Sequence, residues 1–174
     1  MKKYLKIILP LLVLSLTGFM GYTVVSKIKH KKEIATKIKK IPNFSYNTLN
    51  DGAFTLNNLI TNKAVIFIYF NSDCNFCNHE AEMIQQNIDK LNNIQIVFVS
   101  FEDDEKIVAF ANSYNLLGYD NIHFLRDTAH SFTSTFDVNS LPSLVLYDKN
   151  HMLIEKIKGQ VKIEALIEKL KIKN

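Results

Sequence analysis

The chain has 174 residues, 47% of them hydrophobic and 22% charged, which leaves room for one globular domain plus an appendage and excludes a disordered chain. Its net charge of +4 is unevenly spread: residues 1–40 carry ten lysines against Glu33 alone, and the remainder has a balance of −5. An acidic domain without a basic stripe has nothing to neutralise phosphates, which argues against nucleic acid as a partner. The lysines of the first forty residues suit anionic lipid headgroups instead.

An apolar run extends from Leu5 to Val25, interrupted only by Lys6. Counted from Ile7 to Val25, it gives a helix of about 28 Å, close to the thickness of the hydrocarbon layer. Cleavage as a signal peptide would need small residues at −3 and −1. Ending at Gly18 or Gly21 puts Leu16 or Phe19 at −3, so a retained single transmembrane helix over residues 1–25, held in lipid by residues 7–25, is expected. The lysines that follow it oppose the positive-inside rule. A short basic N-terminus before an apolar run is also the export pattern, and the expectation is a single-pass cell-membrane protein with its domain on the extracytoplasmic (periplasmic) side. Residues 26–41 read as a basic stem stopped by Pro42, and residues 42–174 as the folded domain.

Within that domain, Phe44–Tyr46 and Ala53–Thr55 flank the turn signal Asn50-Asp51-Gly52, a small hairpin. Ala64 to Phe70 is an unbroken apolar, β-branched and aromatic run, as in a strand covered on both faces. Cys74, Cys77, Ala81, Ile84, Ile88 and Leu91 then recur at spacings of three and four, one helical stripe over five turns. Ile94–Ser100 reads as a second buried strand, and Asp103 or Asp104 as the cap of a helix carrying Ile107, Phe110, Ala111 and Tyr114. Ile122–Leu125 is a short strand, and a helix starting at Asp127 or Thr128 carries Phe132 and Phe136. Ser143–Tyr147 and Leu153–Lys158 form a hairpin about Asp148-Lys149-Asn150, and the last helix carries Ile163, Leu166, Ile167 and Leu170. Strands alternating with helices, closed by an antiparallel hairpin, predict an α/β fold with a mixed central sheet flanked by helices.

The chain has two cysteines, three apart. Cys74-Asn75-Phe76-Cys77 opens the first long helix of the domain, beyond the end of the central strand. At a helix N-terminus, Cys74 faces unpaired N–H groups and the positive end of the dipole, which favour the thiolate that attacks disulfides. Cys77, nearly one turn later on the same face, is close enough to resolve a mixed disulfide. A zinc site would need a second cysteine pair, which is absent, and His79 does not complete four ligands. Haem attachment would need histidine where Asn78 stands. The loop is too short for a static disulfide to stabilise much. Asp73, beside Cys74, would oppose the dipole and disfavour the thiolate. His79, His123, His130 and His151 show no ligand spacing, and Arg126 reads as structural. Neither a cofactor nor a metal is implied.

The strand followed by Cys74-Asn75-Phe76-Cys77, with Glu80 three residues further on and Ser140-Leu141-Pro142-Ser143 entering a later strand, resembles the thioredoxin superfamily, and within it the membrane-anchored TlpA/ResA-like oxidoreductases. The resemblance covers about Ile41 to Leu170. It implies a thioredoxin-like fold with an N-terminal β-hairpin and an inserted strand–helix, and a thiol–disulfide oxidoreductase with Cys74 and Cys77 as its redox-active disulfide. It further implies a cis Pro142 packed against the pair, substrate chain bound at Leu141 and Pro142, and Glu80 as an acid near the disulfide. Glu80 either takes the proton of Cys77 or is a solvated helix glutamate. The implied partners are protein disulfides, such as apocytochromes c or other envelope proteins, and a membrane electron donor that recharges a reductant. Three positions depart from the pattern: Asp73 replaces the usual Trp, Ile68 the buried acid of thioredoxin, and Ala81-Glu82 follow Glu80 without proline. Two alternatives remain open. A peroxiredoxin-like thiol peroxidase has Thr where Asn71 stands, and a copper carrier of the same fold would hold metal on Cys74, Cys77 and a histidine.

Overall fold

The computed structural model describes residues 2–170, excepting the side chains of residues 2–14. The chain divides into two compact units, one ending at Lys37 and the other beginning at Ile38. The first is one continuous helix, α1 (Lys2–Lys37), with Glu33 and Lys37 paired at 2.8 Å across one turn. The expected transmembrane helix is not found: among the described residues, no helix is long and apolar enough to cross a membrane. Beyond Val25, α1 runs on through Lys27, Lys29, Lys31, Lys32 and Glu33. The side chains that would begin the span, residues 7–14, lie outside the described residues.

The second unit is built on a seven-stranded mixed sheet in the order β2-β1-β5-β4-β3-β6-β7. Its strands are β1 (Ser45–Thr48), β2 (Ala53–Thr55), β3 (Ala64–Tyr69), β4 (Ile94–Ser100), β5 (Ile122–Arg126), β6 (Ser143–Tyr147) and β7 (Leu153–Lys158). β3, β4 and β5 are parallel neighbours. β6 and β7 extend the sheet antiparallel on one side, and the β1–β2 hairpin does so on the other. Every residue of β3 and β4 is buried, as the unbroken apolar sequence of β3 requires of a strand covered on both faces; β4 buries Gln95 and Ser100 with its apolar residues.

Alternation along the central strands sends two sets of side chains to opposite faces. Ile66, Ile68, Ile96 and Phe98 pack with α2 (Asn75–Gln86), α3 (Asp104–Ser113) and α5 (Ile163–Lys169) through Cys77, Ala81, Ile84, Ile107, Phe110, Ile163 and Leu166. The other face is aromatic: Phe67 lies 5.6 Å from Phe136 and 6.1 Å from Tyr147, and Tyr69 stacks on Phe132 at 4.9 Å. Phe132 and Phe136 are the two ends of the short helix α4 (Phe132–Phe136).

The hairpin turn works as its residues predict. Asp51 adopts a left-handed φ of 57°, and at Gly52 an added Cβ would fall 2.9 Å from the Thr48 hydroxyl oxygen. Three elements differ from expectation. The stripe from Cys74 to Leu91 is not one helix: α2 ends at Gln86, where the Asn87 side-chain amide donates to the Met83 carbonyl at 2.9 Å, and Ile88–Leu91 continues as a 3₁₀ turn. The Asn side chain satisfies an end carbonyl, and the apolar period survives in the tighter turn because Leu91 still reaches the core. Asp127 does not start α4. Its buried carboxylate accepts the Phe132 N–H at 2.7 Å and the Ser131 hydroxyl at 3.0 Å, so the helix begins five residues later. Asp103 occupies the N-cap of α3 without capping it, because its carboxylate turns to Arg126.

Candidate active site

The parallel and antiparallel neighbours of β3 set where the site forms. Tyr69, the last residue of β3, is paired with Ser143, the first of β6. The loop leaving β3 and the residues entering β6 therefore meet at one sheet edge, although they lie far apart in sequence. The first carries Cys74 and Cys77, the second Leu141 and Pro142. The Leu141–Pro142 peptide bond is cis, Pro142 is buried, and its carbonyl accepts the Gly159 N–H at 2.8 Å. Leu141 and Cys74 both pack against the core cluster that contains Cys77.

Cys74 is the N-cap of α2, in extended conformation. Its carbonyl accepts the N–H groups of Cys77 at 2.9 Å and Asn78 at 3.0 Å, and its sulfur accepts the Cys77 N–H at 3.4 Å. The first turn of the helix thus directs a backbone donor at the Cys74 sulfur, the arrangement that stabilises negative charge there. The two thiols are free, Cys74 half-buried and Cys77 buried at 1% exposure. Burial pushes the Cys77 thiol up to about 12, and its hydrogen bond with Cys74 acts in the same direction. The pair is asymmetric: one sulfur is presented and the other is kept protonated.

Glu80, one turn beyond Cys77, lies inside rather than at the edge of the buried stripe, at 0% exposure. Its Oε2 accepts the Val161 N–H at 2.9 Å, and Oε1 has no hydrogen-bond partner. Burial raises the carboxyl to about 7 against the pull of that N–H, and its charge pushes Cys77 further up. The solvated alternative is excluded for this residue. Its partner comes from the segment before α5, eighty-one positions away.

Asp73 is exposed and pairs with Lys106 of α3 at 3.3 Å, so a cation balances the charge expected to oppose the dipole. Lys106 also lies 3.5 Å from Glu102. Nothing in the sequence marks Glu102, because it looks like the first member of an acidic run entering a helix. Its buried carboxylate accepts both the N–H of Ser72, at 2.6 Å, and the Ser72 hydroxyl, at 2.8 Å. An open cavity of about 340 Å³ adjoins this loop, with Ser72, Asp73, Asn78, Lys106 and Tyr114 in its lining. Phe76, between the cysteines, is 64% exposed.

The remaining candidates stay apart from the pair. His79 faces Glu82 at 3.5 Å, and His123 contacts Gln95 at 2.9 Å. Arg126 joins Asp103 and Asp104 rather than Asp127, and Ile68 is simply core. Among the described residues no group of three or more His, Cys, Asp or Glu could hold a metal ion.

Comparison with known proteins agrees with this geometry. Residues 38–156 match the AhpC/TSA family. The chain is 26% identical over 166 residues to the thiol-disulfide oxidoreductases ResA of Bacillus thuringiensis (strain Al Hakam) and Bacillus anthracis, covering 95% of this chain and 95% of each relative. Among solved structures, a secreted Mycobacterium tuberculosis disulfide oxidoreductase homologous to E. coli DsbE superposes with a TM-score of 0.62 at 20% identity, over 74% of this chain and 94% of that one. A thioredoxin-like protein from Aeropyrum pernix does so with a TM-score of 0.61 at 18% identity, over 85% and 98%. The chain therefore belongs to the AhpC/TSA family within the thioredoxin superfamily, and it is a thiol–disulfide oxidoreductase of ResA-like type.

Proposed function

We propose that the oxidoreductase works as a reductant of protein disulfides through Cys74 and Cys77, with Glu80 as the proton acceptor. The Cys74 thiolate attacks one sulfur of the substrate disulfide. A Cys74–substrate bond forms, the substrate S–S bond breaks, and the second substrate sulfur leaves as thiolate. The Cys77 proton passes to the Glu80 carboxylate. The Cys77 sulfur then attacks Cys74, closing the Cys74–Cys77 disulfide and releasing the first substrate sulfur. Two electrons have moved from protein to substrate, and a membrane electron donor returns the pair to the dithiol. Leu141 and Pro142, at the same sheet edge, are the surface against which the substrate chain lies.

One observation carries this reading: the half-buried Cys74 sulfur takes the N–H of a fully buried Cys77, and Cys77 feels the charge of the equally buried Glu80. The test is reduction of insulin disulfides by the dithiol protein. Cys74→Ser should abolish it, and Cys77→Ser should accumulate Cys74-linked mixed disulfides. Mixed disulfides on Cys77 instead would reverse the roles.

The site of action we propose is the extracytoplasmic face of the cell membrane, with residues 7–25 in lipid and apocytochromes c or other envelope proteins as substrates. The apolar run from Leu5 to Val25, and the resemblance carried by Cys74-Asn75-Phe76-Cys77, Glu80 and Pro142, support it. Carbonate-washed membranes should retain the full-length protein, and protease added to the outer side should digest the domain. A protein released by the wash, or protected from outside, would refute the two parts separately.

A further inference from the structure

We infer that Glu102 is the positioning residue of the redox loop: from the end of β4 its buried carboxylate grips Ser72 and fixes the turn that presents Cys74. The inference rests on Cys74 and Cys77 being the redox pair. The four residues between β3 and the helix cap, Phe70 to Asp73, lie outside both strand and helix, so their backbone groups need other partners. Two partners are internal. The Asn71 carbonyl accepts the Cys74 N–H at 3.2 Å, and the Asn71 side-chain oxygen accepts the Asp73 N–H at 2.8 Å.

The turn is tied to the body of the sheet through Glu102. Oε2 takes the Ser72 N–H at 2.6 Å and Oε1 the Ser72 hydroxyl at 2.8 Å. Glu102 is itself oriented from β4, since the Ser100 hydroxyl lies 3.3 Å from Oε2 and also accepts the Glu102 N–H at 3.2 Å. Lys106 completes the clamp by bridging Glu102 at 3.5 Å and Asp73 at 3.3 Å. The fork therefore grips the residues two and one before Cys74. A carboxylate with two oxygens suits this task, because both Ser72 donors are satisfied at once.

Positioning and charge predict opposite results. Removing a negative charge near Cys74 would by itself favour its thiolate and speed exchange. Loosening the turn would slow it. The test compares insulin reduction by the full-length wild type, Glu102→Ala and Glu102→Gln. Glutamine can keep both Ser72 contacts, with its amide oxygen taking the N–H and its amide donating to the hydroxyl. Glu102→Ala should slow exchange by about 10- to 100-fold, the scale of a small misplacement of a reacting group, while Glu102→Gln stays within about threefold of wild type. An unchanged or faster Glu102→Ala protein overturns the inference, as does a Glu102→Gln protein as slow as the alanine variant. If Glu102→Ala fails to fold, hydrogen exchange in the wild type decides: the Ser72 amide must be protected, and free exchange overturns the inference. A wild-type protein that leaves insulin disulfides intact would instead remove the redox reading beneath it.

Discussion

Glu80 and Val161 are joined by one hydrogen bond, from the Val161 N–H to Oε2 at 2.9 Å, which leaves Oε1 with no hydrogen-bond partner, and the Glu80 charge is felt at the buried Cys77 thiol. A carboxyl held at about 7 by burial is poised to exchange a proton at neutral pH. The step that consumes the mixed disulfide should accelerate as pH rises towards 7 and then level. Glu80→Gln should slow that step by about 100-fold, the lower end for a lost general base, and flatten its pH dependence. Stopped-flow decay of a preformed Cys74 mixed disulfide measures it. An unaltered decay would assign the proton elsewhere.

The same carboxyl has a consequence for stability. Its folded value lies above the 4.5 of the unfolded chain, so the native state binds the extra proton. The contribution is complete below about pH 4.5 and is lost as pH rises through about 7, roughly 3 kcal/mol over the interval. Urea titrations of the reduced protein between these limits should show stability falling, and Glu80→Gln should remove that slope.

Alkylation should follow the asymmetry of the pair. With Cys77 buried and pushed up to about 12, a brief pulse of iodoacetamide at neutral pH should label Cys74 almost alone. Peptide mapping reads the ratio, and comparable labelling of Cys77 would contradict its burial.

Asp73 and Lys106 should act as an offsetting couple. Asp73→Asn leaves the Lys106 cation paired with Glu102 alone and should speed Cys74 alkylation by about twofold, with a small rise in potential. Lys106→Met should slow it by a similar factor, and the double variant should return towards wild type, because exposed pairs are worth only a fraction of a kcal/mol.

Asp127 supports the aromatic face rather than the chemistry. Its carboxylate holds the start of α4 through the Phe132 N–H and the Ser131 hydroxyl. Asp127→Ala should destabilise the domain by about 2 kcal/mol, the scale of a lost charged cap with a buried N–H left unpaired. Chemical denaturation measures this, with the intrinsic alkylation ratio of the cysteines unchanged.

What could be read in the sequence was local and periodic. The strand Ala64–Tyr69 and the helix opened by Cys74 announce themselves through an unbroken apolar run and a 3–4 spacing, and both lie where expected. The environment of the pair was not legible. Glu80 seemed marginal because its burial is completed by Val161, from a distant segment. Glu102 resembles its acidic neighbours, and only the approach of β3 to β4 brings Ser72 to it. The break at Asn87 was hidden because the 3₁₀ turn prolongs the apolar spacing. Asp103 was expected as a cap because the competing Arg126 lies on a different strand.

The pairing of Tyr69 with Ser143 has a consequence for the order in which the molecule becomes competent. Both thiols are made early in synthesis, but the edge that shelters them and the N–H that engages Glu80 belong to residues 142–161. Such distant contacts form after a large loop has closed. A chain still emerging therefore holds Cys77 in water, with ordinary thiol acidity and no neighbouring buried carboxyl. Maturation of the chemistry coincides with docking of the C-terminal hairpin.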